Sequence, residues 1–220
     1  MRTRVKICCI ETEDMARRAI AAGASALGLV TAMPSGPGVI TDDQARRIAG
    51  LAPPGVATFL LTSQTDPAWL VAQVAAAGTS VVQIVDAVAP AAYAALREAL
   101  PTVKIVQVIH VEDAGAVGEA QGVAPLVDGL LLDSGRPKAA VKELGGTGRV
   151  HDWAISRRIV GAVACPVYLA GGLGPGNVAE AIRAVRPFGV DLCSGVRTDG
   201  LLDDQKLGAL MEAVHAAAQS

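Results

Sequence analysis

Short apolar, β-branched runs alternate with longer alanine-rich amphipathic runs along the whole chain. The apolar runs fall at residues 4–10 ("RVKICCI"), 26–31 ("ALGLVT"), 56–62 ("VATFLLT"), 80–86 ("SVVQIVD"), 103–109 ("VKIVQVI"), 128–133 ("DGLLLD"), 165–170 ("CPVYLA") and 189–195 ("GVDLCSG"). Each has the length of a buried strand, and the runs between them read as helices. "EDMARRAIAAG" ends in Gly23 as a C-cap, "TDDQARRIAGL" opens with Thr41 as an N-cap, and "GPGNVAEAIRAV" carries Pro175 near its start. Eight such units in 220 residues predict an α/β fold, a (β/α)8 TIM barrel occupying residues 1–220 as one domain. An open doubly wound sheet is the alternative, and it lacks the expected G-x-G-x-x-G after the first strand.

A barrel of this kind carries its active site at the C-terminal ends of the strands, so residues 8–10, 133–136 and 193–196 should converge there. Strand side chains alternate in direction, which sets Lys6 and Cys8 on one face and Val5, Ile7 and Cys9 on the other. A lysine between sheet and helices would be costly, so Lys6 and Cys8 are expected inside the barrel and Cys9 against the helices. Cys8 becomes the candidate for chemistry, although it also reads as a small buried hydrophobe. Asp133 closes an apolar strand and should lie at the mouth; the following Ser-Gly leaves a turn role open as well. Three glycine-rich loops follow: Gly145, Gly146, Thr147 and Gly148; then Gly171 and Gly172 in "AGGLGPGNV"; then Ser194 and Gly195 in "SGVRTDG". Backbone amides exposed in the last two loops, with glycine allowing close approach, predict a phosphate site.

Composition narrows the partners. The chain is 51% hydrophobic with a formal net charge of −2 and no basic cluster, which argues against nucleic acid. No run reaches the roughly 18 to 20 apolar residues of a membrane span, and "MRTRVKIC" lacks a signal-peptide core, so a cytoplasmic location is expected. Cys8, Cys9, Cys165 and Cys193 show no C-x-x-C spacing, which argues against a metal site. Cys193 is expected to pack in the core.

In order, "VKICCIE", "GLLLDS", "GGTGRVHDW", "LAGGLGPGNVAEAI" and "VDLCSGV" resemble the successive signatures of the phosphoribosylanthranilate isomerase family over nearly the whole chain. The resemblance implies a barrel enzyme of tryptophan biosynthesis that carries out an Amadori rearrangement, turning an N-ribosyl amine phosphate into a 1-amino-1-deoxyribulose phosphate. It implies no cofactor and no metal, a phosphorylated sugar as substrate, and a monomer or homodimer. Cys8 then matches the general base that removes the C2 proton, and Asp133 the general acid that protonates the ring oxygen. Gly146, Gly172, Ser194 and Gly195 match the phosphate-contacting loops, and Lys6 is the available positive charge beside the thiol.

Five positions depart from that pattern. Cys9 stands where the family usually has glycine, and Gly38 in "MPSGPGVI" where it has the arginine that holds the anthranilate carboxylate. Val85 and Asp86 replace a histidine and a glycine, and Arg197 replaces a glutamate. Arg197 or Arg136 is the candidate for a relocated positive charge; otherwise the aglycone lacks that carboxylate. Two competing classes are a lyase using Lys6 or Lys104 as a Schiff base and a non-catalytic phosphate-binding barrel. His110, His151 and His215 are expected to be structural or exposed.

Overall fold

The computed structural model describes residues 3–33, 36–135 and 151–217. Arg136, Gly145, Gly146, Thr147 and Gly148 lie outside them. The eight apolar runs form β1 (Arg4–Ile7), β2 (Ala26–Val30), β3 (Ala57–Thr62), β4 (Val81–Ile84), β5 (Lys104–His110), β6 (Gly129–Asp133), β7 (Val167–Leu169) and β8 (Gly189–Leu192). They pair in parallel, in sequence order, and β8 closes on β1 through Arg4–Gly189, Val5–Val190, Lys6–Asp191 and Ile7–Leu192. The helices between them are α1 (Glu13–Ala21), α2 (Asp42–Ala49), α3 (Pro67–Ala77), α4 (Pro90–Ala99), α5 (Ala116–Val123), α6 (Trp153–Ala162) and α7 (Val178–Val185). A two-stranded hairpin, β9 (Arg197–Thr198) and β10 (Leu201–Leu202), leads into α8 (Asp204–Ala217).

Alternation along the strands sorts side chains into two cores. Outward residues such as Ile7, Leu29, Leu60 and Leu132 pack with helix residues such as Ile48, Leu70 and Leu96, while Phe59, Val106, Leu131 and Tyr168 fill the barrel. Each fully buried Leu, Ile or Val of this set contributes about 1.5–3 kcal/mol relative to exposure. Thr41 caps α2 with a capping box to Gln44, as its sequence context implies. Helix α1 ends at Ala21, and Gly23, at φ 100°, is the left-handed residue that turns the chain toward β2. Pro175 belongs to the turn before α7 rather than to the helix itself, and Asn177 holds that turn by accepting from the Gly174 amide at 2.9 Å. No helix among the described residues is long and apolar enough to cross a membrane.

One histidine is tied to the fold. His151 lies just before α6, with its Nε2 2.7 Å from the Oγ of buried Ser156 and its Nδ1 buried without a partner among the described residues. Burial disfavours the imidazolium and lowers the pKa to about 4 from 6.5. Between those values the unfolded chain binds the extra proton, so stability falls as pH drops from 6.5 to about 4. Urea unfolding of His151→Gln should lose stability less steeply than wild type across that interval; an unchanged slope would mean that other groups carry the acid sensitivity.

Candidate active site

The ladder of β1 stops at Ile7. Cys8 still donates its amide to the Leu192 carbonyl at 2.8 Å, but Cys9 has φ 59°, a left-handed conformation unusual for a side chain with a Cβ. Alternation breaks there. Cys9 was expected against the helices; it packs instead in the inner cluster with Cys8, and its Sγ lies 2.7 Å from that of Cys193. Cys193, expected as core packing, is half-buried at the end of β8 and meets Cys9 rather than Cys8.

Lys6, two residues before Cys8, is fully enclosed in the barrel. Its Nζ donates to Asp191 Oδ2 at 2.8 Å and lies 5.3 Å from the centroid of the Phe59 ring. Burial alone would push the lysine pKa down, but the charges of Asp191 and Cys8 outweigh it, and the net shift is upward. A lysine held charged and sealed off is unsuited to Schiff-base chemistry, which needs a free amine. Lys104, the other candidate, starts β5 at the opposite end of the barrel and pairs with Asp128 at 3.5 Å.

Gly28 on β2 makes room for this corner: a Cβ there would fall 2.8 Å from Cys8 Sγ and 3.0 Å from Lys6 Nζ. Neither Gly28 nor Asp191 was singled out from the sequence. The carboxylate inside the apolar run "GVDLC", in phase with the inward positions of its strand, was the available signal for Asp191.

Asp133 ends β6, and its Oδ1 accepts from the Ser134 amide at 2.7 Å. Burial is the main influence on its carboxyl and raises the pKa; the negative charge of Asp191 adds to the rise, while the Ser134 amide, His110 and Lys6 oppose it. A carboxyl shifted this way is suited to give up a proton. His110 is level with Asp133 across the β5–β6 pair, Nε2 3.0 Å from the Val85 carbonyl and Nδ1 buried without a partner among the described residues. It therefore lies at the barrel mouth beside the Asp133 carboxyl, the end of the barrel that its position at the close of the fifth apolar run allows.

The loops after β7 and β8 meet. Gly172, Leu173, Gly174, Gly176, Asn177, Ser194 and Gly195 line a cavity of about 360 Å³ beside the start of α7. The approach is close enough that a Cβ on Gly195 would overlap the Leu173 carbonyl and lie 2.9 Å from Gly174 Cα. Gly171 and Gly172 form the preceding turn with φ of 84° and 62°.

The chain matches the family model for N-(5'-phosphoribosyl)anthranilate isomerase over residues 5–213. The chain belongs to this family. It is 38% identical over 205 residues to the N-(5'-phosphoribosyl)anthranilate isomerase of Methanocella arvoryzae, covering 93% of this chain and 94% of that one. The phosphoribosyl anthranilate isomerase of Thermus thermophilus superposes with a TM-score of 0.82 at 28% identity, covering 97% and 99% of the two chains. A phosphoribosyl anthranilate isomerase solved with reduced 1-(o-carboxyphenylamino)-1-deoxyribulose 5-phosphate superposes with a TM-score of 0.78 at 24% identity, covering 97% and 99%.

Two departures from the usual phosphoribosylanthranilate isomerase pattern now have physical accounts. The Arg197 guanidinium is buried, with Nη1 donating to the Cys193 carbonyl at 2.7 Å and Nη2 to the Cys8 and Cys9 carbonyls at 2.8 and 2.6 Å. Expected as a relocated charge for the aglycone, it instead braces the end of β1, where Cys9 sits in its unusual conformation. Gly38, at φ 77°, faces that same residue, and a Cβ on it would fall 2.6 Å from Cys9 Cβ. Cys9 and any side chain at position 38 therefore compete for one volume.

Gly38→Ala should destabilise the protein by about 1–2 kcal/mol from its left-handed backbone and by about 1–3 kcal/mol more from overpacking against Cys9. In a Cys9→Gly background only the first part should remain. A double-mutant cycle by urea unfolding measures the difference, and strictly additive effects would rule out the steric link.

Proposed function

We propose that this protein is a phosphoribosylanthranilate isomerase acting by acid-base catalysis, with Asp133 as the acid and Cys8 as the base. What supports the reading best is the placement of three functions at one mouth: a carboxyl shifted upward at the end of β6, a thiol at the end of β1, and a glycine-lined cavity between the last two loops. Phosphate in that cavity would be held by backbone amides of the loops around Gly172 and Gly195 and by the Ser194 hydroxyl. Asp133 gives its proton to the furanose ring oxygen, the C1–O bond opens, and the nitrogen lone pair forms the iminium. The iminium acidifies C2–H, Cys8 removes that proton, and the resulting enolamine tautomerises to the aminoketose. Lys6, two residues before Cys8, favours negative charge on Asp133. The sequence asks only for one proton donor and one acceptor, so no cofactor is invoked. We read the enzyme as cytoplasmic, a monomer or homodimer, with a phosphorylated sugar as its small-molecule substrate.

Purified protein should convert phosphoribosylanthranilate, followed by loss of its fluorescence. Cys8→Ala and Asp133→Asn should each lower kcat by about 10²–10⁴-fold while a ribulose-phosphate analogue still binds. Full activity in either variant would remove that residue from the mechanism. A second reading keeps the chemistry but changes the aglycone. It is favoured by Gly38, which offers no cation, and by Arg197, whose terminal nitrogens are occupied. Turnover of ribosylamine phosphates lacking the carboxylate, with none of phosphoribosylanthranilate, would select it.

A further inference from the structure

We propose that Cys9 and Cys193 form an oxidisable dithiol, a modification site for peroxide at which a disulfide ties the end of β1 to the loop after β8. Neither thiol has a part in the isomerisation. Both are free, and their sulfurs lie 2.7 Å apart, so a bond of about 2.05 Å asks for a closure of only about 0.7 Å. The backbone creates this contact. At φ 59° Cys9 turns out of the strand alternation and toward β8, and the Arg197 brace on the Cys8, Cys9 and Cys193 carbonyls holds both chain segments in place.

The pair is also electrostatically unequal. Arg197 Nη1 lies 3.7 Å from Cys193 Sγ. The hydrogen bond shared with Cys9 pushes the Cys193 thiol down, and the Arg197 charge adds to this against burial, whereas the same contact pushes Cys9 up. Cys193, the more exposed of the two, is thus the thiolate that meets the oxidant, and Cys9 is the resolving thiol held beside it. The Cys193 thiolate attacks the peroxide O–O bond, forming the sulfenic acid and releasing hydroxide. Cys9 then attacks that sulfur, losing its proton as the S–O bond breaks and water leaves. Two thiols and one hydrogen peroxide give one disulfide and two waters. Cys165, raised by burial and distant in the fold, is the internal comparison.

The test is stoichiometric hydrogen peroxide on the purified protein, read by thiol titration, intact mass and peptide mapping, none of which depends on turnover. Wild type should lose two of its four thiols and two hydrogens of mass, both restored by dithiothreitol. Mapping should join residues 7–17 to the peptide holding Cys193, with Cys8 still open to alkylation. Cys8→Ala should cross-link as wild type does, and Cys9→Gly should not. A wild-type mass gain of oxygen without cross-linking, a Cys8–Cys193 link, or a cross-link that survives Cys9→Gly would each overturn the proposal. The wild-type map decides even if a variant fails to fold.

Discussion

The ion pair between Lys6 and Asp191 sits on the seam where β8 closes against β1, and the working end of the barrel is organised around it. The two residues are register partners, 2.8 Å apart, in a cavity that excludes water from the ammonium. Such a pair is poor evidence for stability, since desolvation offsets most of the attraction, but losing one partner leaves a buried charge and costs about 3–5 kcal/mol. Its value lies in position. The same strand face carries Cys8 two residues beyond Lys6, and the Asp133 carboxyl across the barrel responds to both members of the pair. In the proposed mechanism, strand closure and proton transfer would share one electrostatic centre.

A second unit surrounds the turn after β1. Cys9, Gly38, Cys193 and Arg197 touch one another directly or through a main-chain carbonyl, although 188 positions separate Cys9 from Arg197. Cys9 needs a left-handed backbone, the guanidinium ties down the carbonyls on either side of it, and position 38 must be bare to admit its Cβ. Read singly, Cys9, Gly38 and Arg197 look like isolated departures from the family pattern. In space they are one rearranged corner in which each change accommodates another.

Most of the architecture was legible because period-2 apolar runs and helix punctuation are local properties. All eight strands appeared in their expected places, seven of them shorter at their ends and β5 shifted by one residue, and the inward placement of Lys6 followed from the cost of burying an amine among apolar helices. Local reasoning failed where the backbone left its period. Alternation sent Cys9 outward, and only the positive φ, a product of the loop's closure, brings it inward. It failed again at Arg197, where a surplus cation read as a free ligand group proves to be enclosed by carbonyls from a segment at the other end of the chain. Gly28 and Asp191 carry no local signature beyond their phase on a strand, because their importance comes from neighbours on other strands.

The cavity between the last two loops offers backbone amides, an asparagine and a serine, and none of its described lining residues is ionisable. A neutral grip of this sort has no titration of its own and no counterions to release. Its hold on a phosphate monoester would follow the ligand's own second ionisation, near pH 6, and would weaken little with ionic strength. In the proposed mechanism, proton supply and removal would be left to groups beneath the mouth, so anchoring and chemistry would answer to different solution variables.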